Sequence, residues 1–172
     1  MPTIGVAVAI PEPWASELQD YRTSVGDLTA PQIPTHITLI PPVEVEASEL
    51  DDVEEHLAGV AAQLEVFRIH LRGTGTFRPV SPVVFVTLAE GISKCEMLAA
   101  AVRRGPLAVE LHFPYHPHVT IAHHLADAQL DQAFTELAAF ECEFSAGAFS
   151  LYVHDADAGW QSTRQFALQP TA

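Results

Sequence analysis

The sequence predicts an α+β fold, antiparallel sheets with helices packed outside, arranged as two related halves. Three observations predict it. Strand-like and helix-like stretches alternate from end to end. No linker, low-complexity tract or break in composition divides the 172 residues, so residues 1–172 read as one domain. A short motif also occurs twice, as Pro34-Thr35-His36-Ile37-Thr38-Leu39-Ile40 and as Pro117-His118-Val119-Thr120-Ile121-Ala122, with the histidines 82 positions apart. The repeat implies two halves dividing near residues 85–95.

The elements follow in order. The apolar run 4–10 reads as a buried first strand; no basic segment precedes it, which argues against a signal peptide. Pro11-Glu12-Pro13 opens a helix over 14–25 that Gly26-Asp27 ends. The first motif strand follows, and Pro41-Pro42 is expected to close it, because proline donates nothing to a sheet ladder. Ser48-Glu49-Leu50-Asp51 starts a second helix, whose Leu50, Val53, Leu57, Val60, Ala61 and Leu64 recur at helical spacing. Its acidic face (Glu49, Asp51, Asp52, Glu54, Glu55) reads as solvated. Strands over 66–77 and 82–88 flank the turn 78–81, and a helix over 93–103 stops at Arg103-Arg104-Gly105-Pro106. After the second motif strand come a helix over 127–139 and two strands, 142–153 and 161–168, around the loop 155–159. Asp155 and Asp157 are given no role.

Composition narrows the function classes. No apolar run approaches the ~18–20 residues that cross a bilayer, so no membrane partner is expected. Cys95 and Cys142 lack partners at metal or redox spacing, and two buried thiols in a reduced, cytoplasmic protein are the simplest account. The net charge is −14, with only eight Lys and Arg. That argues against gripping a long nucleic acid, which requires neutralising many phosphates. A small phosphate ester held by a few focused groups is compatible with it.

In a strand, alternate side chains share a face. His36 and Thr38 therefore point one way and Ile37 and Leu39 the other; His118 and Thr120 oppose Val119 and Ile121. Two imidazoles suit in-line displacement at a phosphodiester, where one group takes a proton from the nucleophile and another gives one to the leaving oxygen. Each threonine can donate to a non-bridging oxygen. Taken singly, each histidine could be a hydrogen-bonded structural residue and each threonine a strand former; the pairing is what favours chemistry.

The pair His36-Ile37-Thr38-Leu39 and His118-Val119-Thr120-Ile121 resembles the twin His-x-Thr motifs of the 2H phosphoesterase superfamily, which includes the 2'-5' RNA ligase and cyclic phosphodiesterase enzymes. The resemblance covers nearly the whole chain, taking in the opening strand and helix, Tyr115-His116-Pro117-His118-Val119-Thr120-Ile121, and the closing Leu151-Tyr152 strand before Phe166-Ala167-Leu168. It implies a bilobal fold of two pseudo-symmetric lobes around a central cleft lined by His36, Thr38, His118 and Thr120. It implies metal-independent opening of 2',3'-cyclic phosphates, usually to a 2'-phosphate, with slow reversal as RNA ligation in some members. One histidine would activate water and the other protonate the leaving 3'-oxygen. No cofactor or metal is implied, and the expected partner of a monomeric enzyme is a small nucleotide or an RNA-end cyclic phosphate. The chain departs from relatives that carry a basic or aromatic residue in the first strand, since Gly5-Val6-Ala7-Val8-Ala9 has neither. With the acidity, this leaves open a small substrate such as a cyclic phosphate of ADP-ribose type. A non-catalytic module that binds a nucleotide in the same cleft is the reading from another class.

Outside the motifs, His116, His118, His123 and His124 cluster in sequence, but no Cys or close carboxylate completes a metal set. His116 or His123 could instead tune the site. Tyr115 and Phe77 are candidate substrate-binding residues, able to stack on a base as Trp160 could, with core packing the simpler account for each. Arg78, at a strand end, could reach a phosphate or ribose, or be a solvated turn residue.

Overall fold

Twelve regular elements form in a computed structural model that describes residues 1–171. The strands are β1 (Thr3–Ala9), β2 (His36–Glu44), β3 (Phe67–Thr76), β4 (Val83–Glu90), β5 (Val119–His123), β6 (Glu141–Ala146), β7 (Ala148–Asp155) and β8 (Gly159–Ala167). The helices are α1 (Trp14–Val25), α2 (Leu50–Gln63), α3 (Ile92–Val102) and α4 (Asp127–Glu136). They make two four-stranded antiparallel sheets, ordered β2-β1-β7-β8 and β5-β4-β3-β6. The predicted α+β architecture is the one adopted.

The two motif strands hold equivalent places. β2 and β5 are each the edge of a sheet, and each pairs with a strand that reaches it through one helix, β1–α1–β2 and β4–α3–β5. The helices exchange sides: α1 packs against β5, α3 packs against β2, and β2 and β5 lie against each other. Each lobe's helix thus supports the other lobe's motif strand. The β–α–β–α unit runs over 3–63 and again over 83–136. Residues 85–95, expected to mark the division, fall within β4 and α3 of the second unit.

Alternation explains how the strands are seated. Ile37, Leu39, Val119 and Ile121 are fully buried in one continuous core, while His36, Thr38 and Thr120 on the opposite faces are half-buried. Helix ends are built as their sequence suggests. The Ser16 amide donates to Glu12 Oε1 (3.0 Å) at the start of α1, and acids occupy the first turn of α2. Val53, Leu57, Val60 and Ala61 form the buried stripe of α2.

Two expectations are corrected. Pro41-Pro42 does not close the first motif strand, which continues to Glu44. Edge position makes this possible, since β2 has no outer neighbour to receive amide bonds, and the register slips at the prolines, from Ile4↔Val43 to Val6↔Ile40. The single strand expected over 142–153 is two strands in different sheets. The chain crosses at Gly147, with β6 pairing β3 and β7 pairing β1. The apolar pattern continues through the crossing, so only the glycine marks it. Among the described residues, no helix is long and apolar enough to cross a membrane, and Cys95 and Cys142 are both free and buried.

Candidate active site

The fold brings the two motifs to one place. His36 opens β2, and His118 immediately precedes β5, where Pro117 keeps the strand from starting earlier. They are close enough that charge on one disfavours protonation of the other. Their rings are anchored identically. His36 Nδ1 lies 2.6 Å from the Pro34 carbonyl oxygen and His118 Nδ1 lies 2.7 Å from the His116 carbonyl oxygen, in each case two residues back. A carbonyl oxygen can only accept, so Nδ1 carries the proton in both rings and Nε2 is the basic nitrogen. Each motif thus orients an imidazole and fixes its tautomer with its own backbone.

Both imidazoles are held below the usual histidine range. For His36 the largest cause is burial; the Pro34 carbonyl opposes it, and the Arg22 cation adds to it. For His118 burial is again the largest cause, opposed by the His116 carbonyl, with His116 and His36 adding smaller depressions. Both are therefore poised to be neutral near pH 7, and stability responds with a definite sign. Folded values lie below unfolded ones, so below about pH 6.5 the unfolded chain binds more protons. The stability from burying the neutral rings is complete above that pH and is lost as pH falls through the folded values. We expect the urea midpoint to decline from about pH 7 to about pH 5 and the His36→Gln variant to decline less. Asp27 is separable. Burial favours its neutral form, yet the Thr29 hydroxyl and amide, His123 and Arg22 together hold it below the ordinary carboxylate range. Its contribution is present above about pH 3.9 and is lost only below that.

The lobes differ beside their histidines. In β4, Phe85 is the register partner of Thr120, and in β1, Ala7 is that of Thr38. Phe85 and Phe77 therefore wall in His118, with ring centroids 5.2 Å and 4.9 Å from the imidazole. Gly75 makes this possible, as a Cβ there would lie 2.7 Å from the Phe85 ring. Beside His36, small residues leave a cavity of about 210 Å³, lined by Gly5, Ala7, Pro34, Thr38, Tyr152 and Trp160 among others. A smaller cavity of about 120 Å³ joins His36 to Thr120, with Arg22, Ile33 and His123 completing its wall.

Phe77, Tyr115 and Arg78, each weighed as a substrate contact or as a packing or turn residue, take these places. Phe77 reaches the site as the edge-on neighbour of His118 and His116. Tyr115 does not line either cavity. Its hydroxyl donates to the Thr38 carbonyl (2.7 Å) and Arg103 covers its ring, so it braces one motif strand against the approach to the other. Arg78 is committed to α4, 2.8 Å from Asp131 and 3.8 Å from Asp127, and lies outside both cavities. Trp160, weighed from the sequence as able to stack on a base, lines the larger cavity. Gly159 (φ +79°) lets the β7–β8 turn pass against Gln32, where a Cβ would lie 2.8 Å from the Gln32 Cα, and this close approach places the indole across from Gly5. The indole thus stands beside the first strand, where Gly5 leaves room for it. Among the described residues, no group of three or more His, Cys, Asp or Glu is arranged to hold a metal ion.

With two tautomer-fixed imidazoles and two hydroxyls at a partly apolar cleft, the site has the make-up of a phosphoester-processing centre. The chain belongs to the 2'-5' RNA ligase superfamily, which matches residues 10–158. A Bacillus cytotoxicus relative named as a phosphoesterase is 31% identical over 97 residues, 56% of each chain, so the match spans about half the length of that relative. Among solved structures, the Thermus thermophilus protein TT0787 superposes with a TM-score of 0.73 at 23% identity, covering 100% of both chains. LigT of E. coli in its apo form gives 0.70 at 19%, covering 98% of this chain and 99% of its own. LigT has also been crystallised with 3'-AMP, ATP, NADP+ and phosphate. These likenesses establish the 2H phosphoesterase fold.

Proposed function

We propose that this protein is a metal-independent phosphodiesterase that opens a 2',3'-cyclic phosphate or a related 2'-linked nucleotide. The matched anchoring of the two rings carries the reading. Both rings are held at Nδ1 by a carbonyl two residues back, so in each it is Nε2 that is left to exchange a proton with a substrate. In the reaction, a water oxygen attacks phosphorus and the P–O3' bond breaks. One Nε2 takes a proton from the water while the other gives its proton to O3', leaving a 2'-phosphate monoester. Thr38 and Thr120 donate to the non-bridging oxygens, where negative charge accumulates.

The substrate we favour is small. A cavity of about 210 Å³ is below the ~300–1,000 Å³ of sites that enclose a drug-sized ligand, and it suits one ring laid against Trp160. LigT, one of the structural neighbours, has been crystallised with 3'-AMP, ATP and NADP+, all small nucleotides. A net charge of −14 repels an oligonucleotide more than a mononucleotide. Turnover of a 2',3'-cyclic mononucleotide and of an oligonucleotide with the same end, at low and high salt, tests this. The mononucleotide should be preferred, most strongly at low salt; a preference for the oligonucleotide that salt abolishes would overturn it. Trp160→Ala should raise KM about 5–150-fold with kcat little changed, since base–aromatic stacking contributes ~1–3 kcal/mol.

A further inference from the structure

Under the cleft lies a buried charge that the proton transfers above do not use. Arg22, on α1, is 3% exposed and lines the small cavity that joins His36 to Thr120. Its Nη1 donates to the Ile33 carbonyl (2.6 Å), and its Nη2 lies 3.8 Å from Asp27 Oδ2. Its Nε has no partner. Asp27, 5% exposed, is held by the Thr29 amide (2.9 Å) and hydroxyl (2.6 Å) at one oxygen. Its other oxygen lies 3.3 Å from His123 Nε2. Enclosing a guanidinium and a carboxylate is costly, and hydrophobic replacements often serve stability as well or better. A pair this close to two titrating groups is therefore better placed to act on them than to hold the fold.

Its position relates it to one histidine. The Ile33 carbonyl that Arg22 holds is adjacent in the chain to the Pro34 carbonyl that anchors His36 Nδ1. Arg22 thereby steadies the segment that orients His36 and brings a permanent cation beside it. The charged and titratable groups about His36 are Arg22, from α1, and His123, at the end of β5, which share its cavity wall, and His118, just ahead of β5; Asp27, from the turn after α1, stands behind them against Arg22 and His123. Only Arg22 among these is a cation at every working pH. His118 has no equivalent, because its charge neighbours are His116 and His36, which are themselves titratable.

We propose that Arg22, set by Asp27, is a positioning residue that decides the division of labour between the histidines, with His36 the proton acceptor and His118 the proton donor. The fixed cation beside His36 disfavours its protonated form. His36 Nε2 then takes the proton of the attacking water, and His118 Nε2–H supplies the leaving oxygen. This rests on the phosphodiesterase reading for its catalytic meaning, but the charge coupling itself is measurable without turnover.

The test is an NMR titration of the His36 and His118 imidazoles in the free protein and in three variants, alongside kcat/KM against pH. Arg22→Met removes the cation, so the His36 midpoint should move up. Asp27→Asn leaves the cation unopposed, so the midpoint should move down. Arg22→Lys keeps the charge and should leave it near wild type. A merely structural role would not give shifts of opposite sign. The acidic limb of kcat/KM should follow the His36 midpoint through the series, since kcat/KM reports the free enzyme's base. Equal-sign shifts, no shifts, or a limb that follows His118 would overturn the proposal. If Arg22→Met fails to fold, an unmoved or raised His36 midpoint in Asp27→Asn overturns it alone. Opposite shifts without turnover would instead sink the phosphodiesterase reading and leave the charge coupling standing.

Discussion

Replacing His36 or His118 with alanine is expected to lower kcat/KM on a 2',3'-cyclic nucleotide by about 10²–10⁴-fold, the usual worth of a positioned proton-transfer group. Neither change should disturb folding much, because both side chains are only half-buried and each anchors to its own segment. The double variant should be little worse than the poorer single one, since residues that act as a unit do not contribute additively. The pH dependence carries a sign. Both imidazoles are held below the ordinary value, so the bell-shaped kcat/KM profile of the wild type should peak below about pH 6.5. Initial-rate assays over the pH range check both points. Either single variant retaining full activity would remove its histidine from the chemistry.

The second large effect is on stability and comes from the other face of the same strand. Ile37 lies between His36 and Thr38, is fully buried, and belongs to the core beneath both lobes. Ile37→Ala should cost about 2–5 kcal/mol in urea or thermal unfolding, the range for truncating a large buried aliphatic side chain. Ile37→Val should cost only ~0.5–1.5 kcal/mol. Residual folded Ile37→Ala protein should also be less active, because the buried residue holds the strand that presents His36 and Thr38. A loss below ~1 kcal/mol would mean that β2 is not pinned to the core as described.

Much of this was legible locally. A proline followed by His-apolar-Thr-apolar fixes a period-two alternation, and burial of Ile37, Leu39, Val119 and Ile121 behind His36, Thr38 and Thr120 is what that alternation dictates. The helical stripes were legible for the same reason. What was hidden depends on partners distant in sequence. The switch of sheet at Gly147 leaves the apolar pattern unbroken, and the tolerance of Pro41-Pro42 depends on β2 being an edge. The sequence left open whether Tyr115 and Arg78 meet a ligand or pack, and only the fold shows the Thr38 carbonyl and α4 engaging them. Arg22 reads from sequence as an ordinary basic residue in the last turn of a helix, and only the packing of α1 against β5 buries it beside His36. The cavity itself follows from register. Ala7 stands where the other lobe has Phe85, and no local pattern aligns those two residues.

The most direct measurement is phosphorus NMR of a 2',3'-cyclic mononucleotide incubated with the protein in excess chelator. The cyclic phosphodiester signal should give way to a single 2'-phosphate monoester, at a rate unchanged by chelator and lost in His36→Ala and His118→Ala. An unchanged cyclic signal, or conversion that the two variants carry out as well as the wild type, would contradict the account.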